Sequence, residues 1–439
     1  MHEPVEVLKV FCWGQYVGAL ALDQNTRYYA FEYNPDFQKL GIELAPLALP
    51  SLQSGPQIFT QLSTETYYRL PPFIADSLPD DYGNSLINAW MANRGISKAT
   101  FSPLDRLAYV GSRGMGALEY VPALEIAGRS KKPTALEMNE LVSEARRAVN
   151  VDLMKDSALD VESELAQLIQ VGTSAGGARA KAVVGFNPQT NEFVSGQFGV
   201  PKGFEHWIIK FDVFSDKPGE FGDSQEYGRI EYAYYLMARD CGIAMETSRL
   251  YEAAGRTHFM TKRFDRGENN ERHHVQTLCA MAQLDYNYLR VHDYAQLFQT
   301  AVSLGLPLEA HDELFRRMVF NVALSNKDDH TKNHAFRLKR GGTWELTPAY
   351  DITYAHGVTS DSWTIQHILG VGGVFIDISR KDVTALAGRF HVRNSEAILA
   401  TVLDVADNWS EYAAKAGLAT SEKDRIAQDI ARCCAQLKA

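Results

Sequence analysis

Four polar side chains crowd into eight residues of this chain. Asn326, Asp328, His330 and Asn333 stand in the run Leu324-Ser-Asn-Lys-Asp-Asp-His-Thr-Lys-Asn-His. A second run, Leu346-Thr-Pro-Ala-Tyr-Asp-Ile, adds Asp351. The first run follows a segment with apolar residues at helical spacing, including Leu314, Met318 and Val322. Carboxylates and amides packed this densely at the end of a buried helix are costly unless metal, water or substrate satisfies them. Phosphoryl transfer from ATP accounts for the whole set. It needs a carboxylate to accept or orient a hydroxyl proton, an asparagine oxygen for Mg²⁺, and a second aspartate for Mg²⁺ on a separate element. Asp328, Asn333 and Asp351 meet those needs in order, and Asp328 and Asn333 have the D-x-x-x-x-N spacing of a kinase catalytic loop. A plainer reading has Asp329 and His330 capping a helix and Asp351 opening a turn. A zinc reading would gather Asp328, His330, His334 and His356, but neither this region nor His273-His274 has the spacing of a closed tetrahedral set. The hard-cation reading is preferred.

A loop that could receive phosphates lies upstream. Val171-Gly-Thr-Ser-Ala-Gly-Gly-Ala-Arg-Ala-Lys is rich in small residues, and glycine lets backbone amides approach phosphate oxygens closely. The spacing differs from the Walker A pattern, and a tight glycine turn between two elements is the commoner meaning of such a run. Lys181 then opens a strand, and Lys210 ends another, Trp207-Ile-Ile-Lys-Phe. A lysine there can sit over the phosphates if a carboxylate orients it, and Glu231 is its expected partner. A lone strand lysine is more often simply solvated.

The elements that must position these residues follow from periodicity. Residues 8 to 32 read as short strands rich in β-branched and aromatic residues. A polar, proline-bearing stretch runs to about residue 120, and Phe73 to Gly83 could close a small first domain. The charged, proline-containing segment Arg129 to Thr134 marks a boundary near residue 130. Residues 138 to 169 carry a helical rhythm. Strands are expected at Ala180 to Val184, His206 to Phe211, Leu250 to Tyr251 and His258 to Lys262. Tyr227, Ile230, Tyr234, Met237 and Cys241 mark an amphipathic helix between them. From residue 270 onward the chain reads mostly as helix, and Leu399, Val402 and Val405 mark one such helix.

Composition bounds the function classes. The 439 residues suggest more than one packed unit, and 45% hydrophobic with 22% charged residues is a globular composition. With 44 basic against 54 acidic side chains the formal charge is −10, which argues against a broad nucleic-acid-binding face. The five cysteines show no framework spacing, no basic and apolar leader is evident, and no apolar run is long enough to span a membrane. A cytoplasmic location is expected, with no membrane partner.

Taken together, the residues resemble the HipA family of serine/threonine kinases, the toxins of bacterial type II toxin–antitoxin systems. The resemblance spans nearly the whole chain. It rests on Phe73 to Pro79, Phe101 to Leu118, Ser174-Ala-Gly-Gly-Ala-Arg-Ala-Lys181, Lys210, Lys262-Arg-Phe-Asp-Arg266, Arg316 to Asn321, Asn326 to Asn333 and Pro348-Ala-Tyr-Asp351. It implies an α+β fold: a protein-kinase-like two-lobed core, a small N-terminal β-rich subdomain and a mostly helical C-terminal lobe. The expected domains are 1–130, 131–266 and 267–439. Asp328 would be the catalytic aspartate, and Asn333 and Asp351 would coordinate Mg²⁺. ATP would meet Ser174, Ala175, Gly176, Gly177, Ala178, Lys210, Lys262, Phe264, His330 and Lys332, with Asp265 at the ribose.

Ser174 matches the serine that such kinases autophosphorylate, with Thr173 an adjacent alternative. Phosphate on a loop built to receive ATP phosphates would repel them. The resemblance further implies a protein substrate, with aminoacyl-tRNA synthetases among the family's targets. It implies a small HipB-like DNA-binding antitoxin, with DNA reached only through that complex. Two positions depart from the family pattern. Lys327 stands where glycine or threonine is frequent, and could tune a phosphate or protein contact; Ala180 stands where proline is frequent. The alternatives from other classes are a small-molecule phosphotransferase of kinase-like fold and a non-catalytic co-repressor acting with an antitoxin.

Overall fold

The computed structural model describes residues 3–79, 81–92, 95–97, 100–124, 135–150, 180–212, 226–357 and 363–439. Two compact units emerge. The first comprises Met1–Asp216, Tyr251–Gln276 and Arg337–Thr343, and the second Lys217–Leu250, Thr277–Phe336 and Trp344–Ala439. The first unit thus keeps residues beyond the expected break at 266/267; the boundary expected near residue 130 lies outside the described residues.

The first unit opens on an antiparallel sheet. Strands β1 (Val7–Cys12), β2 (Gln15–Leu22), β3 (Tyr29–Tyr33) and β4 (Leu118–Val121) lie in the order β3-β2-β1-β4. Alternation sets the buried face, with Leu8, Val10 and Cys12 inward on β1. Trp13 (φ 50°) and Gly14 (φ 77°) form the two-residue link between β1 and β2, positive-φ geometry that matches the strands' twist. Between β3 and β4, after three single-turn helices, the chain forms two longer ones, α1 (Asp81–Ala92) and α2 (Pro103–Val110). At the start of α2 the Ser102 hydroxyl accepts from the Asp105 N–H, and the Asp105 carboxylate accepts from the Ser102 N–H. Pro103 fills the first helical position, where no N–H is needed.

A five-stranded sheet completes the unit: β5 (Lys181–Phe186), β6 (Phe193–Ser195), β7 (Glu205–Lys210), β8 (Ser248–Ala253) and β9 (Arg256–Lys262), in the order β6-β5-β7-β9-β8. Every residue of β5 is buried, as expected of a strand covered on both faces. Helix α3 (Met138–Asn150) places Met138, Leu141, Val142 and Ala145 in the same core as Phe186, Trp207 and Met260. The backbone of Gly196 passes so close to Val184 that a β-carbon would stand 2.6 Å from its carbonyl carbon; only glycine fits there. The second half of the helical rhythm read over 138–169 lies outside the described residues.

The second unit is helical. Helix α4 (Tyr227–Asp240) is followed by α5 (Tyr294–Ser303), α6 (Leu308–Ala323), α7 (Arg380–Arg389), α8 (Ser395–Asp407), α9 (Trp409–Ala416) and α10 (Thr420–Lys438). Their apolar faces meet in one core, with Tyr234, Tyr294, Phe298, Phe315 and Phe320 wholly buried. Each such side chain stabilises the fold by roughly 1.5–3 kcal/mol through removal from water. Short strands interrupt the region read as helix. His274–Thr277 (β10), Ala335–Leu338 (β11) and Trp344–Leu346 (β12) form a small sheet in that order. Among the described residues no helix is long and apolar enough to cross a membrane.

Candidate active site

The polar run sits where α6 stops, and its backbone is held by the side chains of Tyr234 and Tyr350. After Leu324 the chain turns through Ser325 at φ 54°. The Tyr234 hydroxyl donates to the Leu324 carbonyl at 2.6 Å. Asn326 then binds back to α6: its N–H reaches the Asn321 carbonyl at 2.9 Å, and its side-chain amide reaches the Asn321 Oδ1 at 2.9 Å. Asn321 in turn donates to the Tyr294 hydroxyl at 2.9 Å, which donates to Asp329 Oδ2 at 2.8 Å. Burial and the Asp329 charge push the Tyr294 hydroxyl far above its ordinary pKa, so it remains a donor.

Asp329 is the fixed point of this loop. Besides Tyr294 it accepts from His367 Nδ1 at 2.8 Å, the Ile368 N–H at 2.8 Å and the Leu369 N–H at 3.3 Å. Neither Asp329 nor His330 caps a helix through its side chain. His330 precedes the single 3₁₀ turn Thr331–Asn333 without a side-chain cap bond. The plainer reading of these two residues is therefore replaced by a buried anchor. Nothing local in the sequence marks it, because the partners of Asp329 lie 35 to 40 positions away in both directions.

Asp328 is half-buried, and its Oδ1 lies 3.3 Å from His330 Nε2. Burial, with the Lys332 charge adding to it and Asp351 opposing, lowers the His330 pKa to about 4, so its ring is neutral at neutral pH. The Asn333 amide nitrogen donates to the Asp328 carbonyl at 2.7 Å. That commits the nitrogen end and leaves the amide oxygen as the end able to meet a cation. Thr331 donates to the Leu284 carbonyl at 2.7 Å, and Lys332 lies 4.4 Å from the Tyr286 ring. Tyr350 ties in the second run by donating to the Lys332 carbonyl at 2.6 Å. Its neighbour Asp351 adopts φ 52°, a conformation most side chains avoid.

The donors in this unit suit a hard divalent cation. They are the Asp351 carboxylate and the Asn333 amide oxygen, and Mg²⁺ takes oxygen ligands, a few from protein and the rest from phosphate and water. The structure thus brings Asp328, His330, Lys332 and Asn333 onto one loop and fastens the Asp351 segment beside it. Glu231 is buried on α4 in the same unit.

The other residues expected at the nucleotide lie in the first unit. Lys181 and Lys210 face one another in register on β5 and β7, and Lys210 Nζ stands 5.8 Å from the Phe259 ring. Lys262 pairs with Glu205 at 2.6 Å. The Phe264 carbonyl accepts from Arg337 at 2.7 Å. Asp265 differs from expectation. It is wholly buried and accepts from Arg263 at 2.8 and 2.9 Å, from Arg266 at 2.6 Å and from the Gly116 N–H at 2.8 Å. Burial would raise its pKa, but the Arg263 and Arg266 charges more than offset this and hold the carboxyl well below the usual range. Both of its oxygens are thus engaged by protein donors. Ser174, Ala175, Gly176, Gly177 and Ala178 lie outside the described residues, as does Thr173.

Comparison with known proteins gives this arrangement a lineage. Residues 173–437 match the family model described as HipA-like C-terminal domain, and residues 8–121 match the HipA N-terminal domain. The serine/threonine-protein kinase toxin HipA of Shewanella oneidensis is 22% identical over 359 residues, covering 76% of this chain and 72% of that protein. A solved structure of Shewanella oneidensis HipA with HipB and operator DNA covers 98% of this chain and 96% of its own, with TM-score 0.68 at 18% identity. The Helicobacter pylori proinflammatory kinase CtkA is more distant, covering 53% of this chain and 88% of its own, with TM-score 0.36 at 12% identity. The loop of Asp328 and Asn333 and the segment of Asp351 both fall inside the larger matched region, and the chain belongs to the HipA family.

Proposed function

We propose that this protein is an Mg²⁺- and ATP-dependent serine/threonine protein kinase of the HipA toxin type, with the two-lobed core of a protein kinase. The observation that carries the reading is the loop after α6. Asp329 fixes it inside, Asp328 stands beside a neutral His330, and Asn333 is turned by its bond to the Asp328 carbonyl. Asp328 accepts the substrate hydroxyl proton, or orients that hydroxyl for in-line attack on the γ-phosphorus. Asn333 and Asp351 hold Mg²⁺, which when bound neutralises charge on the transferring phosphate. Lys210 meets the ATP phosphates. Because His330 is neutral at working pH, its ring beside Asp328 adds no positive charge to the carboxylate.

The proposed substrate is a protein of translation, with an aminoacyl-tRNA synthetase as the first candidate. Ser174 is the proposed autophosphorylation site that silences the enzyme. The proposed partner is a HipB-like DNA-binding antitoxin, through which the chain reaches DNA. The structure of the Shewanella oneidensis relative with HipB and operator DNA supports that partner class.

Radiolabel transfer from γ-labelled ATP to a panel of purified aminoacyl-tRNA synthetases tests the reading. The wild-type chain labels at least one of them, and Asp328→Asn lowers the rate by at least a hundredfold while ATP binding persists. Equal labelling by Asp328→Asn contradicts the role given to Asp328.

A further inference from the structure

Behind the catalytic loop, within the second unit, lies a cavity of about 260 Å³ that no step of the proposed phosphoryl transfer uses. Its polar end is formed by Lys327, His356 and Arg432, and its apolar wall includes Ile365, Phe375 and Ile378. We propose that this cavity is a binding site for a phosphate monoester, met by Lys327 and Arg432 on its wall and sensed on both sides of Asp328.

Lys327 and Arg432 flank one imidazole on the wall of this cavity. Lys327 is only 8% exposed, an unusual burial for a lysine. Its ammonium donates to the Ile365 carbonyl at 2.8 Å and stands 3.5 Å from His356 Nε2. Two of its three N–H bonds are thereby accounted for, and the third remains for an occupant of the cavity. Arg432 approaches the other ring nitrogen of the same histidine, Nη2 to Nδ1 at 3.4 Å. One imidazole therefore sits between two cations. Asp429 balances one of them, lying 2.7 Å from Arg432 and 3.2 Å from His356. Asp377, also on the wall, exerts a smaller influence on Lys327 than either Arg432 or Asp429.

Burial lowers the Lys327 pKa, the Arg432 charge adding to this while Cys433 and Asp429 oppose it. An incoming anion would relieve the desolvation and the repulsion together. A lysine and an arginine lining one cavity suit a phosphate, which brings two charges and several acceptor oxygens. The apolar wall and a volume below the usual ligand range restrict its body to a small group.

The same residues report to the loop. The Lys327 backbone N–H donates to the Ala355 carbonyl at 3.0 Å, and the next residue is Asp328. His367 lines the cavity and bonds Asp329, the residue after Asp328. Occupation therefore bears on the peptide before and the peptide after the catalytic position. The monoester has two sources, a free metabolite-sized ligand or a phosphorylated side chain of a protein.

The test is calorimetric titration of the full chain with inorganic phosphate and with phenyl phosphate, the nucleotide site being saturated with Mg²⁺ and a non-hydrolysable ATP analogue. One site is expected after phosphatase treatment, weakened at least tenfold by Lys327→Met and by Arg432→Gln. Arg432 is half-exposed on its side chain, so its variant keeps the test valid if Lys327→Met fails to fold. Binding present before phosphatase treatment assigns the site to a free ligand. Binding unmasked only by phosphatase, with intact mass showing loss of a phosphoryl group, assigns it to a phosphorylated side chain. Absence of binding in both states, or equal binding by both variants, overturns the proposal. Binding is read directly, so the result stands whether or not the kinase reading does.

Discussion

Asp329 shows how much of this site depends on a residue that performs no chemistry. Its carboxylate gathers a tyrosine hydroxyl, a histidine and two backbone amides in the interior. Removing it leaves those donors buried without an acceptor, which costs about 3 kcal/mol. Asp329→Ala should therefore lower the urea midpoint markedly, and an unchanged midpoint would refute its role as anchor. His334 and His330 supply a second expectation at this scale. Burial lowers both to about 4, against an ordinary value near 6.5. As pH falls the unfolded chain binds these protons first. Their contribution is therefore complete above about pH 6.5 and is lost as pH approaches 4, by on the order of 1 kcal/mol per pH unit for each histidine. Urea melts at pH 7, 5.5 and 4.5 should show the loss, and His334→Gln should flatten it; parallel profiles would contradict it. The polar residues of the loop stand out in sequence because their types recur at the spacing that phosphoryl transfer would demand. The anchor does not, since any buried carboxylate with distant partners looks locally like a cap. Asp265 is similar: its motif position suggests a ligand contact, while the arginines on either side bond both its oxygens.

Elements were legible to the extent that their burial is periodic. The hairpin strands over 8 to 32 and the helix through Tyr227 and Tyr234 follow the alternation and the helical step seen in the sequence. The strands His274–Thr277, Ala335–Leu338 and Trp344–Leu346 were not. They are three or four residues long, too short for either period to declare itself. Helix α2 offers a quantitative check at this scale. Ser102→Ala removes one half of its reciprocal cap, and should destabilise the chain by about 1 kcal/mol. Chemical denaturation measures this, and a change below a few tenths of a kcal/mol would mean that the N–H groups find water equally well.

One fold likeness covers 98% of the chain, and two family matches, N-terminal over residues 8–121 and C-terminal over 173–437, follow in the expected order. Ligand linkage gives the first expectation at this scale. Mg²⁺ with ATP analogue at a hundred times its dissociation constant should stabilise the folded chain by about 2.7 kcal/mol. Asp351→Asn should lose most of that gain if Asp351 holds the metal; an equal thermal shift in the variant would remove it from the metal site. The most direct test of the central claim is the intact mass of the chain after incubation with Mg²⁺ and ATP, beside Asp328→Asn and Ser174→Ala. The account predicts a gain of roughly 80 Da, one phosphoryl group, in a chain first treated with phosphatase and in neither variant. A gain of the same size in Asp328→Asn would contradict the claim that Asp328 carries the phosphoryl transfer.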